Sequence, residues 1–231
     1  MNQRSGRLGI GIIGAGRVGP VLGAALGGAG HAIVGISTVS EAGRERADVL
    51  LPGVPVLPIP DVIERAELVL LAVPAAELAT LVSGLAATGA WQPGQLVAHT
   101  AAEFGTGVLA PATAAGVIPL AIHPAMSFTG TSLDLVRLRE TWCAVTAPTP
   151  VLPIGQALVV EMGAEPVVID EADREAYAAA IASVRGLATG VVTDAMARLA
   201  AIGVERPGLM LGQVVRSATD DALAAGSSPL E

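Results

Sequence analysis

Two histidines stand at the ends of apolar runs, and they are the side chains of this sequence best placed to move a proton. Gln95-Leu96-Val97-Ala98-His99-Thr100 and Gly116-Val117-Ile118-Pro119-Leu120-Ala121-Ile122-His123 both read as strands that finish on histidine. The chain has only three histidines, so two at strand ends is not an effect of composition. An imidazole titrates close to neutrality and serves there as a general acid or base. Other candidates are few. All 13 basic residues are arginine, so no lysine can form a Schiff base or donate a proton. Tyr177 is the single tyrosine. The third histidine, His31, opens a strand at its far end and is read as structural. Strand-end position favours His99 facing a cleft, with a tie to the backbone as the competing reading. For His123 the competitor is a structural His123-Pro124 turn.

A second stretch supplies something for a proton donor to work beside. Leu8 to Gly19 reads LGIGIIGAGRVG. Leu8 to Ile13 has the continuous apolar character of a buried parallel strand. Gly14-Ala15-Gly16-Arg17-Val18-Gly19 then forms G-x-G-x-x-G, and an apolar small-residue run, Val21 to Ala29, follows at helical density. Between strand and helix this is a dinucleotide fingerprint. Gly14 permits the turn, Gly16 admits a pyrophosphate, and Gly19 lets helix and strand close up. The N–H groups that open the helix face the phosphates. Pro20 fits the first helical turn, where a missing N–H costs little.

The end of the second strand, His31 to Ser37, bears on which dinucleotide. Enzymes that use NAD tend to place an acid there for the ribose 2′-hydroxyl. Here Ser37, Thr38 and Ser40 are followed by Arg44, a set suited to a 2′-phosphate, and Arg17 adds a second guanidinium. NADP is therefore expected. Ser40 also reads as a helix cap. Val73-Pro74, closing the apolar run Glu67 to Val73, suits the edge of a nicotinamide ribose site.

These residues need an alternating scaffold, and the sequence supplies one. Helices are expected over 41–51, 60–66, 75–90 and 151–162, a helix or turn over 106–115, and further strands over 54–59, 141–147 and 165–169. The pattern predicts an α/β fold, a Rossmann-type doubly wound and mostly parallel sheet. After Asp170 the character changes. One long helix is expected to about Ile202, with Gly203 as its C-cap, then a last helix over 206–225 and a polar tail, 226–229. The expected domains are 1–170, dinucleotide-binding, and 171–231, a small all-helical unit. Gly186 and Gly190 share one helix face, and the apolar long helix points to a subunit interface.

Composition narrows the classes further. Of 231 residues, 52% are hydrophobic and 15% charged, which excludes bulk disorder. The net charge of −8 argues against a nucleic-acid partner. No uninterrupted apolar run of membrane type and no signal peptide is read; Met1 to Arg7 is polar. The lone Cys143 lies in an apolar run, excludes an internal disulfide framework and fits a reducing cytoplasm. No metal-binding cluster is read.

The chain resembles a family of Rossmann-like oxidoreductases whose C-terminal domain has no assigned function, distantly similar to 6-phosphogluconate dehydrogenase, ketopantoate reductase and pyrroline-5-carboxylate reductase. The resemblance spans nearly the whole chain. Its most specific parts are Gly14 to Gly19, Leu70 to Pro74, His99-Thr100, Pro119 to Gly130 and Ala157 to Pro166. It implies an NADP-type cofactor, a helical C-terminal half and a homodimer, with a ketopantoate-like 2-keto acid as substrate by analogy. The departures matter too. The family's His-Thr-Ser-Gly is His99-Thr100-Ala101-Ala102 here. Ala178, Ser183 and Gly186 stand where the family carries His, His and Asn, and Arg185 is the charged group nearby. The family usually runs several dozen residues longer, so a final helical segment would be missing.

Two functional expectations follow. One is an NADP(H)-dependent reductase of a small carbonyl or imine compound, with His123 as general acid, His99 and Thr100 at the nicotinamide ribose or substrate, and Arg185 on a substrate carboxylate. The other is a Rossmann-type protein that has lost its reductase residues and acts as an NADP(H)-binding regulator, a partner subunit or a repurposed non-redox enzyme.

Overall fold

The computed structural model describes residues 7–226, excepting the side chains of 187, 188 and 226. The polar opening, 1–6, and the tail, 227–229, lie outside the described residues. The chain divides into two compact units, 1–178 and 179–231. That division falls eight residues past the expected 170, because Arg174 and Tyr177 are tied to the sheet as set out below.

The first unit alternates strands and helices. Strands β1 (Gly9–Ile13), β2 (Ala32–Ser37), β3 (Leu68–Leu71), β4 (Leu96–His99), β5 (Ile118–Pro124), β6 (Trp142–Thr146) and β7 (Glu165–Val168) form one seven-stranded sheet in the order β2-β1-β3-β4-β5-β6-β7. All neighbours are parallel except β5 and β6. The helices are α1 (Gly19–Gly28), α2 (Glu41–Leu50), α3 (Ile59–Arg65), α4 (Ala75–Ala87), α5 (Ala110–Thr113), α6 (Leu133–Leu138) and α7 (Leu152–Glu161). The fold is thus the mostly parallel Rossmann-like sheet that the alternation implies.

Two-residue periodicity decides which face each strand residue serves. Ile10, Ile12, Leu68, Leu70, Leu120 and Ile122 point to one face and meet Leu22, Leu26, Leu138 and Leu158. Ile13, Val69, Leu71 and Val97 point to the other and meet Val62, Ile63, Leu78, Val82 and Leu109. Each fully buried Leu or Ile contributes about 1.5–3 kcal/mol relative to exposure. Two cores, one per face, hold the strand ends in register.

Two local expectations fail. No strand forms over 54–59. Pro55 and Pro58 have no N–H to give a ladder, and only an isolated bridge joins Ile36 to Val56. Helix α6 was not foreseen, because six residues are too few to display a period. It places Asp134, fully buried, under the preceding loop, where the carboxylate accepts N–H bonds from Thr129 (2.7 Å) and Gly130 (2.8 Å).

Helix α8 runs from Arg174 to Ala201, and α9 from Pro207 to Gly226. Gly203 takes the positive φ of +89° between them, as a C-cap requires. Side chains built at Gly186 or Gly190 would meet nothing within 4 Å. The stretch 171–201 is long and apolar enough to cross a membrane by length and composition, with mean hydropathy 1.3, where the sequence reading saw no such segment. Alanine and valine raise the average there even though charged residues interrupt the run.

Candidate functional site

The glycine turn follows β1 directly. Gly14 adopts φ +106°, and a Cβ there would strike the carbonyl oxygen of Ala72. A Cβ on Gly19 would strike the carbonyl oxygen of Gly14, so this glycine lets α1 close onto the strand. Gly16 differs, because a Cβ there meets nothing within 4 Å. Helix α1 starts with no side-chain cap and with Pro20 in its first turn. Uncapped N–H groups beside an open glycine form an anion-receiving surface.

A cleft of about 340 Å³ opens beside this turn. Of the residues expected at a dinucleotide, Gly14, Ala15, Gly16, Ser37, Thr38, Ser40, Val73 and Pro74 line it. Arg17, Val18, Gly19, Arg44, His99 and Thr100 do not. Arg17 is exposed and lies beside the loop at Gly130, whose Cβ position is 3.2 Å from the Arg17 Cα. Arg44 is exposed on α2, away from the cleft; Arg46 takes the place expected of it. The Arg46 Nε donates to the carbonyl oxygen of Ala15 at 3.1 Å, which sets the guanidinium against the glycine turn. Helical spacing could have found it: Gly43, Arg46, Ala47 and Leu50 form the inward stripe at i, i+3, i+4, i+7, and Arg44 falls off it. Ser40 caps α2, accepting the Gly43 N–H at 3.0 Å.

The backbone turn, the uncapped helix and the hydroxyls with Arg46 fit a nicotinamide dinucleotide. Gly14, Ala15 and Gly16 with the opening N–H groups of α1 would hold its pyrophosphate, and Ser37, Thr38, Ser40 and Arg46 its adenosine ribose.

The strand-end histidines diverge. His99 is fully buried. Its Nε2 donates to the carbonyl oxygen of Gly105 at 2.8 Å, and its Nδ1 accepts the Ala101 N–H at 3.2 Å. A carbonyl only accepts and an amide N–H only donates, so the ring is the neutral Nε2–H tautomer. Burial above all lowers its pKa to about 4. The expectation that His99 faces the cleft is therefore corrected: the ring is a backbone tie between β4 and the turn at Thr106–Leu109. His31 is also structural, bonding Leu8 N–H at 3.1 Å and Glu161 at 2.7 Å.

His123 is half-buried, and its Nδ1 lies 2.8 Å from the Tyr177 hydroxyl. The two rings meet edge to face, 5.6 Å apart. Behind them lies Arg174, only 1% exposed. Its Nε donates to Thr146 Oγ1 at 2.7 Å, and its Nη2 to the carbonyl oxygens of Ala121 and Ala144 at 3.0 and 3.2 Å. Nη1 finds no acceptor among the described residues. The guanidinium sits 5.9 Å from the Tyr177 ring centre. Burial raises the Tyr177 pKa, and the Arg174 charge works against that rise. Burial lowers that of Arg174. Glu171 completes the neighbourhood. Burial favours its neutral form, but N–H bonds from Gly107 and Thr106 outweigh this and hold its carboxyl below the ordinary range.

Arg174 escaped the sequence reading, and Tyr177 was noted there as the single tyrosine without a place in the site. A buried arginine has no periodic signature when it opens a helix, and its partners lie up to 53 residues away. Arg185 is exposed on α8 within the second unit, and Ser183 turns its hydroxyl onto the Ala180 carbonyl of its own helix. Cys143 is buried, its thiol pushed up to about 12 by burial, as expected of a structural thiol.

Comparison with known proteins agrees with this architecture. Residues 1–124 match the Rossmann-like domain family, and residues 141–229 match a domain of unknown function, DUF2520. No curated protein matches the chain in sequence. Protein BF3122 from Bacteroides fragilis superimposes with a TM-score of 0.77 at 17% identity, over 93% of this chain and 80% of that one. The 1-pyrroline-5-carboxylate reductase of Streptococcus pyogenes gives 0.71 at 20% identity, over 98% and 83%. Pyrroline carboxylate reductase from Plasmodium falciparum, solved with NADP bound, gives 0.68 at 10% identity, over 97% and 80%. At such identities the likeness speaks for the fold. The match over more than half of its length makes this chain a member of the Rossmann-like domain family, joined here to a DUF2520 domain.

Proposed function

We propose that this protein is an NADP(H)-dependent reductase of a small carbonyl or imine compound. The observation that carries the reading is His123, half-buried at the carboxyl end of β5 and paired with Tyr177, on the same sheet edge as the glycine turn. From β1 to β5 is three strand spacings, about 14 Å, which a dinucleotide anchored at the turn spans. Structural relatives that reduce a pyrroline, a cyclic imine, are in keeping with that substrate class.

The bound dinucleotide supplies hydride. The chain's part is to hold it and to place a proton. Gly14, Gly16 and the opening N–H groups of α1 bind pyrophosphate without a side chain in the way. Ser37, Thr38, Ser40 and Arg46 favour a 2′-phosphate over a bare hydroxyl, since no acid stands among them. The hydrogen-bonded pair of His123 and Tyr177 supplies a proton to the carbonyl oxygen or imine nitrogen as hydride arrives at carbon. A ketopantoate-like 2-keto acid is the first compound to try. The helical unit exposes Val184, Val191, Leu209, Met210 and Val214, each more than 60%, and we assign their cover to a second copy of the chain in a homodimer. A reducing cytoplasm suits a chain with one buried thiol.

Calorimetry with NADPH and NADH tests the binding half. Tight NADPH and weak NADH binding is expected. Binding of neither cofactor overturns the reading and turns attention to a regulatory or non-redox role, which the loss of polar groups at Ala178, Ser183 and Gly186 would suit.

A further inference from the structure

We infer that Tyr177 is the group that hands the proton to substrate, that His123 restores it, and that Arg174 positions and electrostatically supports the phenol. This rests on the reductase reading and deepens it.

The argument starts from scarcity. With no lysine in the chain and His99 locked to Gly105, the imidazole and phenol left at this edge among the described residues are those of His123 and Tyr177. These two are one hydrogen-bonded unit, 2.8 Å from Nδ1 to Oη. When Nδ1 carries the proton it donates to Oη, and the phenolic O–H is then directed elsewhere, available to a substrate oxygen or nitrogen. When Nδ1 lacks it, the phenol donates to the ring instead. The pair therefore directs the phenolic proton outward in the first state and onto the ring in the second. A lone imidazole would not need a phenol against its Nδ1.

Arg174 gives the pair its third member. It opens α8 one turn before Tyr177, and three hydrogen bonds to β5 and β6 fix its head group. Immobile and buried, the cation lies 5.9 Å from the phenol ring, where it stabilises negative charge that develops on Oη. Cys143 and Glu171 lie nearby as well. Cys143 is a neutral thiol on β6, and Glu171 precedes α8 with its carboxylate engaged by Thr106 and Gly107. Arg174 is thus the charge beside Tyr177 that favours its ionised form.

The step balances. The Tyr177 O–H bond breaks and its proton joins the carbonyl oxygen or imine nitrogen, while hydride from the reduced nicotinamide joins carbon. The Nδ1–H bond of the His123 imidazolium breaks and re-forms Oη–H. His123 then regains a proton that comes ultimately from solvent. One hydride and one solvent proton are consumed per turnover.

The test uses the full chain. Because Tyr177 is the sole tyrosine, ultraviolet absorbance of the phenolate reads its ionisation alone. Titrating the wild type against His123→Ala is expected to separate the two curves by about one pH unit, the size of a hydrogen-bond effect on a titrating group. Coincident curves overturn the coupling. Tyr177→Phe is then assayed for NADPH oxidation against a panel of small 2-keto acids and carboxylated cyclic imines. Turnover is expected to fall about a hundredfold. The calorimetric Kd for NADPH and the melting temperature are expected to hold, which a merely structural tyrosine would not combine with that loss. The alkaline limb of the wild-type pH profile should move in His123→Gln. A wild type that reduces the panel together with an equally active Tyr177→Phe overturns this inference alone. A wild type that binds NADPH and reduces nothing overturns the reductase reading, and the inference with it.

Discussion

The ends of β4 and β5 carry the same residue type in the same sequence setting, yet they became different things. Ala121 pairs with His99, so β5 runs past β4 and carries His123 two positions further along the sheet edge. Beyond His99 the chain folds back at once, and the Gly105 carbonyl closes over the ring. Beyond His123 the strand continues into Pro124, leaving the ring half-buried against Tyr177. A histidine at a strand end is thus a partner for another side chain or a backbone tie according to how far its strand projects and what the following residues cover.

The sharpest way to test that contrast is acid stability. Folded His99 takes its proton only near pH 4, whereas the unfolded residue takes it near 6.5. Between those values the unfolded chain binds a proton that the folded chain refuses. The contribution of His99 is whole above pH 6.5 and declines as pH falls, by roughly 3 kcal/mol on reaching pH 4. Denaturation followed against pH should show this slope in the wild type and a flatter one in His99→Gln. An equal slope in both would break the comparison from the β4 side.

From the β5 side, His123→Ala should lower turnover about a hundredfold while NADPH binding is kept. His99→Gln, measured alongside, should turn over at close to the wild-type rate. Equal losses in the two variants would show that strand projection does not separate their roles.

A smaller effect concerns the cofactor arginines. Arg46→Ala should weaken NADPH about tenfold or more, as expected for loss of a charged hydrogen bond, and Arg44→Ala should leave it nearly unchanged. Calorimetry reads both, and a reversed order would return the role to Arg44. The smallest expected effect is on stability at Gly16. Gly16→Ala should change it by less than about 0.5 kcal/mol yet impair NADPH binding, whereas Gly19→Ala should destabilise the fold by about 1–3 kcal/mol. Thermal melts beside calorimetry distinguish a glycine kept open for a ligand from one required by packing.

What the sequence determined by itself is whatever depends on neighbours along the chain. The glycine turn, its flanking strand and helix, the Ser40 cap and the succession of apolar runs are local, because backbone freedom, helical start signals and side-chain periodicity act over a few residues. Hence the fold class and most of the cleft lining were legible. The tertiary structure decided the rest. That His99 met the Gly105 carbonyl and His123 met Tyr177 depended on strand register. Whether Arg44 or Arg46 faced the cleft depended on which side of α2 met the sheet. Arg174 and Tyr177 joined the site because the start of α8 packs on β5 and β6, more than 50 residues from His123 and Ala121. Contacts of that separation are set by how the layers pack, and composition and spacing carry no record of them.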